Sequence, residues 1–320
     1  MTKEENLFHR LGIKKLIFTI ILAGSIVIFP QDKKSGTVTE KYSDGTLKQV
    51  ENYIHGIPDG ECRYYYKTGI LSEAVHYKNG KKNGSCSSYY ETGILKENLN
   101  YDDNKLSGTY TNYYPSGILK ETGKYTKGVF EDTIQSFYEN GNLESSYFYK
   151  NGLREGIANE FYPSGKLKAE ANYIHDMQTG KTNWYYENGS LKGTYNYNEG
   201  NMSGPATEYY PDGKIEAQKN YAYSSLDGLI KEFYENGKVK SEGNYEKGKR
   251  EGITKSYYQN GGLWSEQYYE EGKLEGDTKI YRESGSLWYI ETYENGKLKK
   301  NKEYSEDGKL ISEQEISTNE

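Results

Sequence analysis

The 320-residue chain is short of what an ordinary enzyme core requires. It has two cysteines, six prolines, four histidines and three methionines. Leu, Ile, Val and Phe number about 56, under a fifth of the residues, and mean hydropathy is −0.99. That count excludes the thick aliphatic core of the usual α/β enzyme. A basic surplus is also missing: 41 basic residues stand against 47 acidic, for a net charge of −6. Residues 1–31 hold four basic and two acidic residues, which leaves the rest of the chain at −8. Nucleic acid and anionic membrane surfaces are therefore disfavoured as partners. The sequence has no G-x-x-x-x-G-K-[ST], G-x-S-x-G, H-E-x-x-H or C-x-x-C motif. His9, His55, His76 and His175 lie far apart; His55 and His175 share one repeat position in two NYIH segments and read as turn decoration. Carboxylates are interleaved with Lys, the pattern of a solvated surface. The chain therefore reads as a non-enzyme with no cofactor and no metal.

Composition of this kind also fits disorder. What is present argues against it. Tyr and Gly number 36 each, and both recur at a fixed period. The glycines Gly45, Gly69, Gly93, Gly117, Gly141, Gly165, Gly189, Gly213, Gly237, Gly261 and Gly285 are spaced by 24 without a slip, and Gly308 follows 23 later. Below, positions are counted from this glycine, called the turn glycine. At +8 stand Tyr53, Tyr77, Tyr101, Tyr125, Tyr149, Tyr173, Tyr197, Tyr221, Tyr245, Tyr269 and Tyr293. At +2 stands Leu, Ile or Val. At −3 stands Tyr from Tyr42 to Tyr258, with Arg282 the exception. A second glycine column at −9 is broken by Asp132 and Lys300. A fixed period of this length means a repeat array.

Glycine recurs too often for helices, and Tyr, Thr, Ile and Phe between Gly/Asn clusters read as short strands. The turn is written YENG, YPSG, YETG or YPDG, with Pro115, Pro163 and Pro211 in one register. It reads as a three-residue hairpin loop with a glycine bulge, in which Tyr66 pairs with Ile70 and Tyr65 faces Leu71. Each repeat is then a β-hairpin. The expected fold is all-β: one elongated, twisted antiparallel sheet of 22–24 strands, roughly 105–115 Å long if unbent. Cys62 and Cys86 fall in equivalent positions two strands apart, roughly 9–10 Å, too far for a disulfide.

Residues 1–30 are a separate object. A basic stretch ending at Lys15 precedes the 14-residue apolar run Leu16–Phe29 and Pro30. This is the pattern of a signal peptide or a signal anchor, expected to be helical. It implies a chain that is exported (periplasmic, cell-surface or secreted) or membrane-anchored through residues 11–30. Residues 31–41 serve as a linker into the first repeat, 42–300 carry about eleven tandem repeats, and 301–320 form a partial last repeat and a polar tail expected to fray.

The segment Glu242–Gly252 (EGNYEKGKREG) resembles the MORN repeat, the membrane occupation and recognition nexus. Units such as YYENGSLKGTYNYNEG, residues 185–200, are similar to the bacterial MORN variant of YwqK-family antitoxin-like proteins. The resemblance covers about residues 36–312. Tyr stands where the family has Trp in W-x-x-G, the third glycine is replaced by Cys86, Ile134, Ala158 or Thr254, and the unit is 24 residues rather than 23. The resemblance implies strings of hairpins with scaffolding or interaction roles, sometimes with lipid contact. The antitoxin label implies a cytoplasmic toxin partner, which the N-terminal segment contradicts.

Three tryptophans stand out. Trp264 and Trp288 occupy a column otherwise mostly Lys or Glu, and Trp184 one mostly Ser, Asn or Glu. In the hairpin register these two columns are expected to be cross-strand neighbours, sharing a face with the −3 tyrosines. Trp184, Tyr186, Tyr258, Trp264 and Trp288 thus form a candidate aromatic strip for a partner. The functional expectation is a non-catalytic scaffold binding an unknown protein. A cell-wall glycan-binding module is one alternative, since Trp184-Tyr185-Tyr186 with Gly189 is somewhat similar to choline- or glucan-binding repeats. A toxin-neutralising protein is the other.

Overall fold

In the computed structural model, residues 35–316 are described. The expected N-terminal helix and signal segment lie outside them. The described residues contain strands and turns and no helix. They form one open antiparallel sheet in which each strand pairs with its neighbours in the chain. Twenty-nine strands are distinguished, but five (Ile57–Pro58, Lys105–Leu106, Asn201–Met202, Ser225–Leu226 and Lys273–Leu274) are two-residue pieces cut off by a bulge. Counted with the strand that follows, they leave 24, two for each of twelve hairpins. Gly36–Lys41 and Leu310–Glu315 form the two edges.

Turn chemistry explains the period. In each hairpin the N–H at −3 donates to the C=O at +1, as Tyr66 does to Ile70 at 2.8 Å. The turn-glycine N–H donates back to the −3 carbonyl (Gly69 to Tyr66, 2.9 Å), and Gly69 has φ +82°. Only glycine holds that conformation without strain. Hairpins are joined by two-residue turns such as Asn79–Gly80 (φ 49° and 79°) between the paired Lys78 and Lys81. Both positive φ values mark the primed turn that matches strand twist.

Each joint also carries a wide bulge. Val75 pairs with Cys86 and Tyr77 with Lys82, so the second strand spends two extra residues there. Gly84 takes φ +96° inside it. Asp132 adopts φ 72° in the same place, its Oδ1 accepting from the Thr133 N–H at 2.8 Å. In the last hairpin Tyr293 pairs with Leu298 and Thr292 with Lys300, one residue fewer. That shorter bulge accounts for the 23-residue final spacing and for Lys300 in a glycine column. The segment expected to fray beyond residue 300 instead completes a hairpin, Lys297–Tyr304 with Leu310–Glu315.

The core lies on one face. The −7 column (Cys62, Cys86, Tyr110, Ile134, Ala158, Thr182, Ala206, Ile230, Thr254, Thr278) is buried in every member. It alternates across strands with the +6 column, so that Cys62 pairs with Val75, Val75 with Cys86, and Tyr110 with Gly123. The replacements at Cys86, Ile134, Ala158 and Thr254 are therefore the buried row of the sheet. Val75 separates Cys62 from Cys86, and both thiols are free. The densest point is the cluster Tyr110, Ile134 and Tyr149, with Tyr125 and Phe130 packed against it. Ring centroids there run 4.9 Å (Tyr110–Tyr125), 4.6 Å (Tyr125–Phe130) and 5.3 Å (Phe130–Tyr149).

The −3 tyrosines tie repeat to repeat. The Tyr42 hydroxyl donates to the Tyr65 carbonyl at 2.7 Å, Tyr66 to Tyr89, Tyr90 to Tyr113, and so on to Tyr258 and Tyr281. Each caps a carbonyl just past the end of the ladder, where a buried acceptor left alone is costly. Arg282 breaks the column yet does the same work: Nη2 donates to the Tyr304 carbonyl at 2.7 Å and Nη1 to the Leu287 carbonyl at 3.1 Å. Replacing Arg282 by Ala is expected to cost about 1–3 kcal/mol, the value of a charged donor. Because a repeat touches only its neighbours, amide exchange should rise in 297–315 and stay unchanged before residue 250. Uniform exchange along the chain would contradict this role.

Candidate functional site

Register separates the aromatic strip. Every hairpin has a bulge between −5 and −4: Ser256 pairs with Ser265 and Tyr257 with Leu263, which leaves Trp264 as the extra residue. Trp288 stands likewise between the Ile280–Tyr289 and Tyr281–Leu287 pairs. Trp184 instead pairs with Ala169 on one side and Gly193 on the other. The expected cross-strand contact between the Trp184 and Trp264 columns is therefore not made; a one-residue bulge shifts the register past it. Trp184 is half-buried in the core row, between two small residues that leave room for its indole.

Tyr186 and Tyr258 lie in the −3 column, and their hydroxyls are committed to the Tyr209 and Tyr281 carbonyls at 2.8 and 2.7 Å. Burial raises the Tyr186 phenol above its ordinary value. The ring of a −3 tyrosine takes a cover from the +3 residue of its own hairpin. Elsewhere that cover is Lys: Lys96 Nζ lies 5.8 Å from the Tyr90 ring, Lys120 5.5 Å from Tyr114 and Lys192 5.5 Å from Tyr186. Trp264 replaces it over Tyr258 at 6.4 Å. Trp288 lies under the Arg282 guanidinium at 5.1 Å and beside Tyr289 at 4.9 Å. Trp264 and Trp288 remain 44% and 36% exposed in successive hairpins. The surface element is thus Tyr258, Trp264, Arg282 and Trp288, an aromatic pair with one cation.

The residues at −11, five after each +8 tyrosine, were not singled out in the sequence. They pair with those tyrosines across the joint: Tyr77 with Lys82, Tyr125 with Phe130, Tyr149 with Arg154 and Tyr245 with Arg250. Arg154 lies 4.3 Å over the Tyr173 ring and is bonded to Asp176 at 3.1 Å. Arg250 donates to the hydroxyls of Tyr245 at 2.9 Å and Tyr269 at 3.1 Å. The constant offset of five was the available signal. These groups link consecutive tyrosines and act on stability.

Among the described residues no cluster of His, Cys, Asp and Glu has the arrangement of a metal site. His55 and His175 sit on joint turns at φ 48°. Burial pushes the Cys86 thiol up to about 12 and raises Cys62 as well, so neither is a thiolate at neutral pH. Two shallow depressions measure about 210 and 240 Å³, one at Leu229, Ile253 and Lys255, the other at Val50, Asn52 and Arg63. Both fall below the range of about 300–1,000 Å³ typical of ligand pockets.

The fold is similar over 88% of this chain to "Crystal Structure of TcdB2-TccC3-TEV", at 14% identity, covering 15% of that chain, with a TM-score of 0.20. For "Crystal Structure of TcdB2-TccC3" the values are 87%, 12%, 18% and 0.18. The chain thus spans less than a fifth of the length of these structures, and the likeness is too loose to bear on function. No curated protein matches in sequence. The MORN repeat variant matches ten segments: 58–79, 82–103, 106–127, 133–151, 154–175, 178–199, 202–223, 226–247, 250–271 and 274–295. Each segment is one hairpin around its turn glycine, and the shortened one, 133–151, starts just after Asp132 in the glycine column. The chain belongs to the MORN repeat variant family.

Proposed function

We propose that the chain is a non-catalytic scaffold that presents its long sheet to a protein partner, at the cell envelope or outside the cell. The observation that carries this reading is the pair Trp264 and Trp288. Ten −3 tyrosines and one arginine are used up in tying repeats together, and Lys suffices as the ring cover at Lys96, Lys120 and Lys192. Exposed indoles in that position add nothing to burial, and large aromatics with a neighbouring Arg are the residues that dominate protein interfaces. The export or anchoring of the chain rests on the Leu16–Phe29 run.

The test is capture from the native envelope with wild type and with Trp264→Lys/Trp288→Lys. The variant should keep its strand circular dichroism and melting temperature and lose partner recovery at least tenfold. The same pair on a glycan array separates the carbohydrate-binding reading. A variant that recovers the same partner in the same yield ends the proposal.

A further inference from the structure

The face opposite the core carries a second apolar patch, separate from Trp264 and Trp288 and independent of their role. Six large side chains on three consecutive joints are 39–61% exposed: Val129, Phe148, Leu153, Ile157, Ile174 and Met177. Strand alternation puts all six on that face. Val129, Leu153 and Met177 hold one repeat position, the first after the joint turn, and Ile174 pairs directly with Met177. Phe148 and Ile157 lie a short step inward. The same repeat position is Lys81 and Lys105 before this run and Asn201, Ser225, Lys249, Lys273 and Lys297 after it. The row is continuous, since a Cβ added at Gly152 would lie 3.2 Å from the Val129 Cβ. The apolar run is thus confined to three turns and balanced about the middle one.

We infer that this patch is an interface between two copies of the chain, related by a two-fold axis through the Asn151–Gly152 turn. A self-complementary patch is what such an axis requires: it sets Leu153 against its own copy and Val129 against Ile174 and Met177. The charges agree. Lys105 and Lys127, on the N-terminal side, make no ion pair among the described residues, and on the C-terminal side neither does Glu199. The axis carries Lys127 onto Asp176 of the second copy and Lys105 onto Glu199. Asp103, which would oppose this, is already paired with Lys81. Six half-exposed side chains cover less than a standard interface, so the dimer forms at about micromolar concentration and weakens in salt.

The test uses the full chain with Leu153→Cys. Cys62 and Cys86 are buried and stay silent. Under mild oxidation Leu153→Cys should give a disulfide-linked dimer as its main product. Lys249→Cys, at the same repeat position outside the patch, should give at least tenfold less. Adding Met177→Asp to Leu153→Cys should abolish the link while circular dichroism is unchanged. Equal cross-linking of Leu153→Cys and Lys249→Cys overturns the inference. So does a cross-link from Leu153→Cys to a different protein, or a link that survives Met177→Asp.

Discussion

Replacing Gly123 by Val is expected to destabilise the array by about 3–5 kcal/mol and to open its middle hairpins. Gly123 has ordinary backbone geometry, so the effect is steric. A Cβ there would lie 2.3 Å from Ile134 Cδ1 and 2.9 Å from Tyr110 Cε1. Both neighbours are almost fully buried, and with Tyr149 they form the densest cluster of the sheet. Overpacking of this kind costs about 1–3 kcal/mol. The Tyr110 ring has nowhere to go without giving up the 2.8 Å bond from its hydroxyl to Glu121, worth about 1.5–3 kcal/mol to a charged acceptor. Since stability accumulates between neighbours, a break here divides the array in two. Urea melts should show the midpoint falling and the transition splitting. Gly262, also ordinary in backbone but exposed, is the control: Gly262→Ala should melt like wild type. Gly123→Ala combined with Ile134→Ala should cost less than the two separately, because the second removes the methyl that the first strikes. Strict additivity, or an unchanged melt for Gly123→Val, would show that the row is looser than this packing implies.

The same row marks where sequence reading succeeds and where it stops. Period, turn and strand assignment were legible because they depend on residues with special backbone or edge chemistry. A glycine at φ +82° and a tyrosine every 24 residues leave a visible mark. The −7 column leaves none: Cys, Tyr, Ile, Ala and Thr share no type, only a volume matched to the facing +6 residue, large against small at Tyr110 and Gly123. Against the family pattern it reads as a lost glycine, although it is the core. The bulge between −5 and −4 is equally silent. It adds one residue without a composition signature, and that residue decides whether Trp184 meets the Trp264 column. Arg282 reads as the one failure of the tyrosine column until its guanidinium is seen on the Tyr304 carbonyl. Of the candidate strip, the unusual residue in a Lys column located the exposed pair, while the core position of Trp184 required the register.

Alkaline titration is expected to melt the array between about pH 10 and pH 12. The core is held by tyrosine, and burial makes each phenolate expensive. Burial first, then neighbouring carboxylates and phenols, push Tyr77, Tyr101, Tyr125 and Tyr197 up to about 12, and burial with the Glu291 hydrogen bond does the same for Tyr293. Tyr64 and Tyr110 are driven higher still by burial, each also bonded to a carboxylate, Glu51 and Glu121. An unfolded tyrosine ionises near 10. Below that value both states keep their protons and the stability is fully present. Above it the unfolded chain releases protons that the folded chain retains, so stability falls with pH until the folded value is passed. One pH unit of difference is worth about 1.4 kcal/mol per group. Even halved for partial exposure, five such tyrosines withdraw about 7 kcal/mol across the window, comparable to the whole stability of a domain. Of the 36 tyrosines, the exposed ones should ionise smoothly near pH 10 in phenolate absorbance. The core set should ionise late and together, in the same step in which strand circular dichroism is lost. Tyr77→Phe, which removes one such proton, should move that step to higher pH. If all the absorbance change is complete near pH 10 while the strand signal persists, the tyrosine columns do not carry the core.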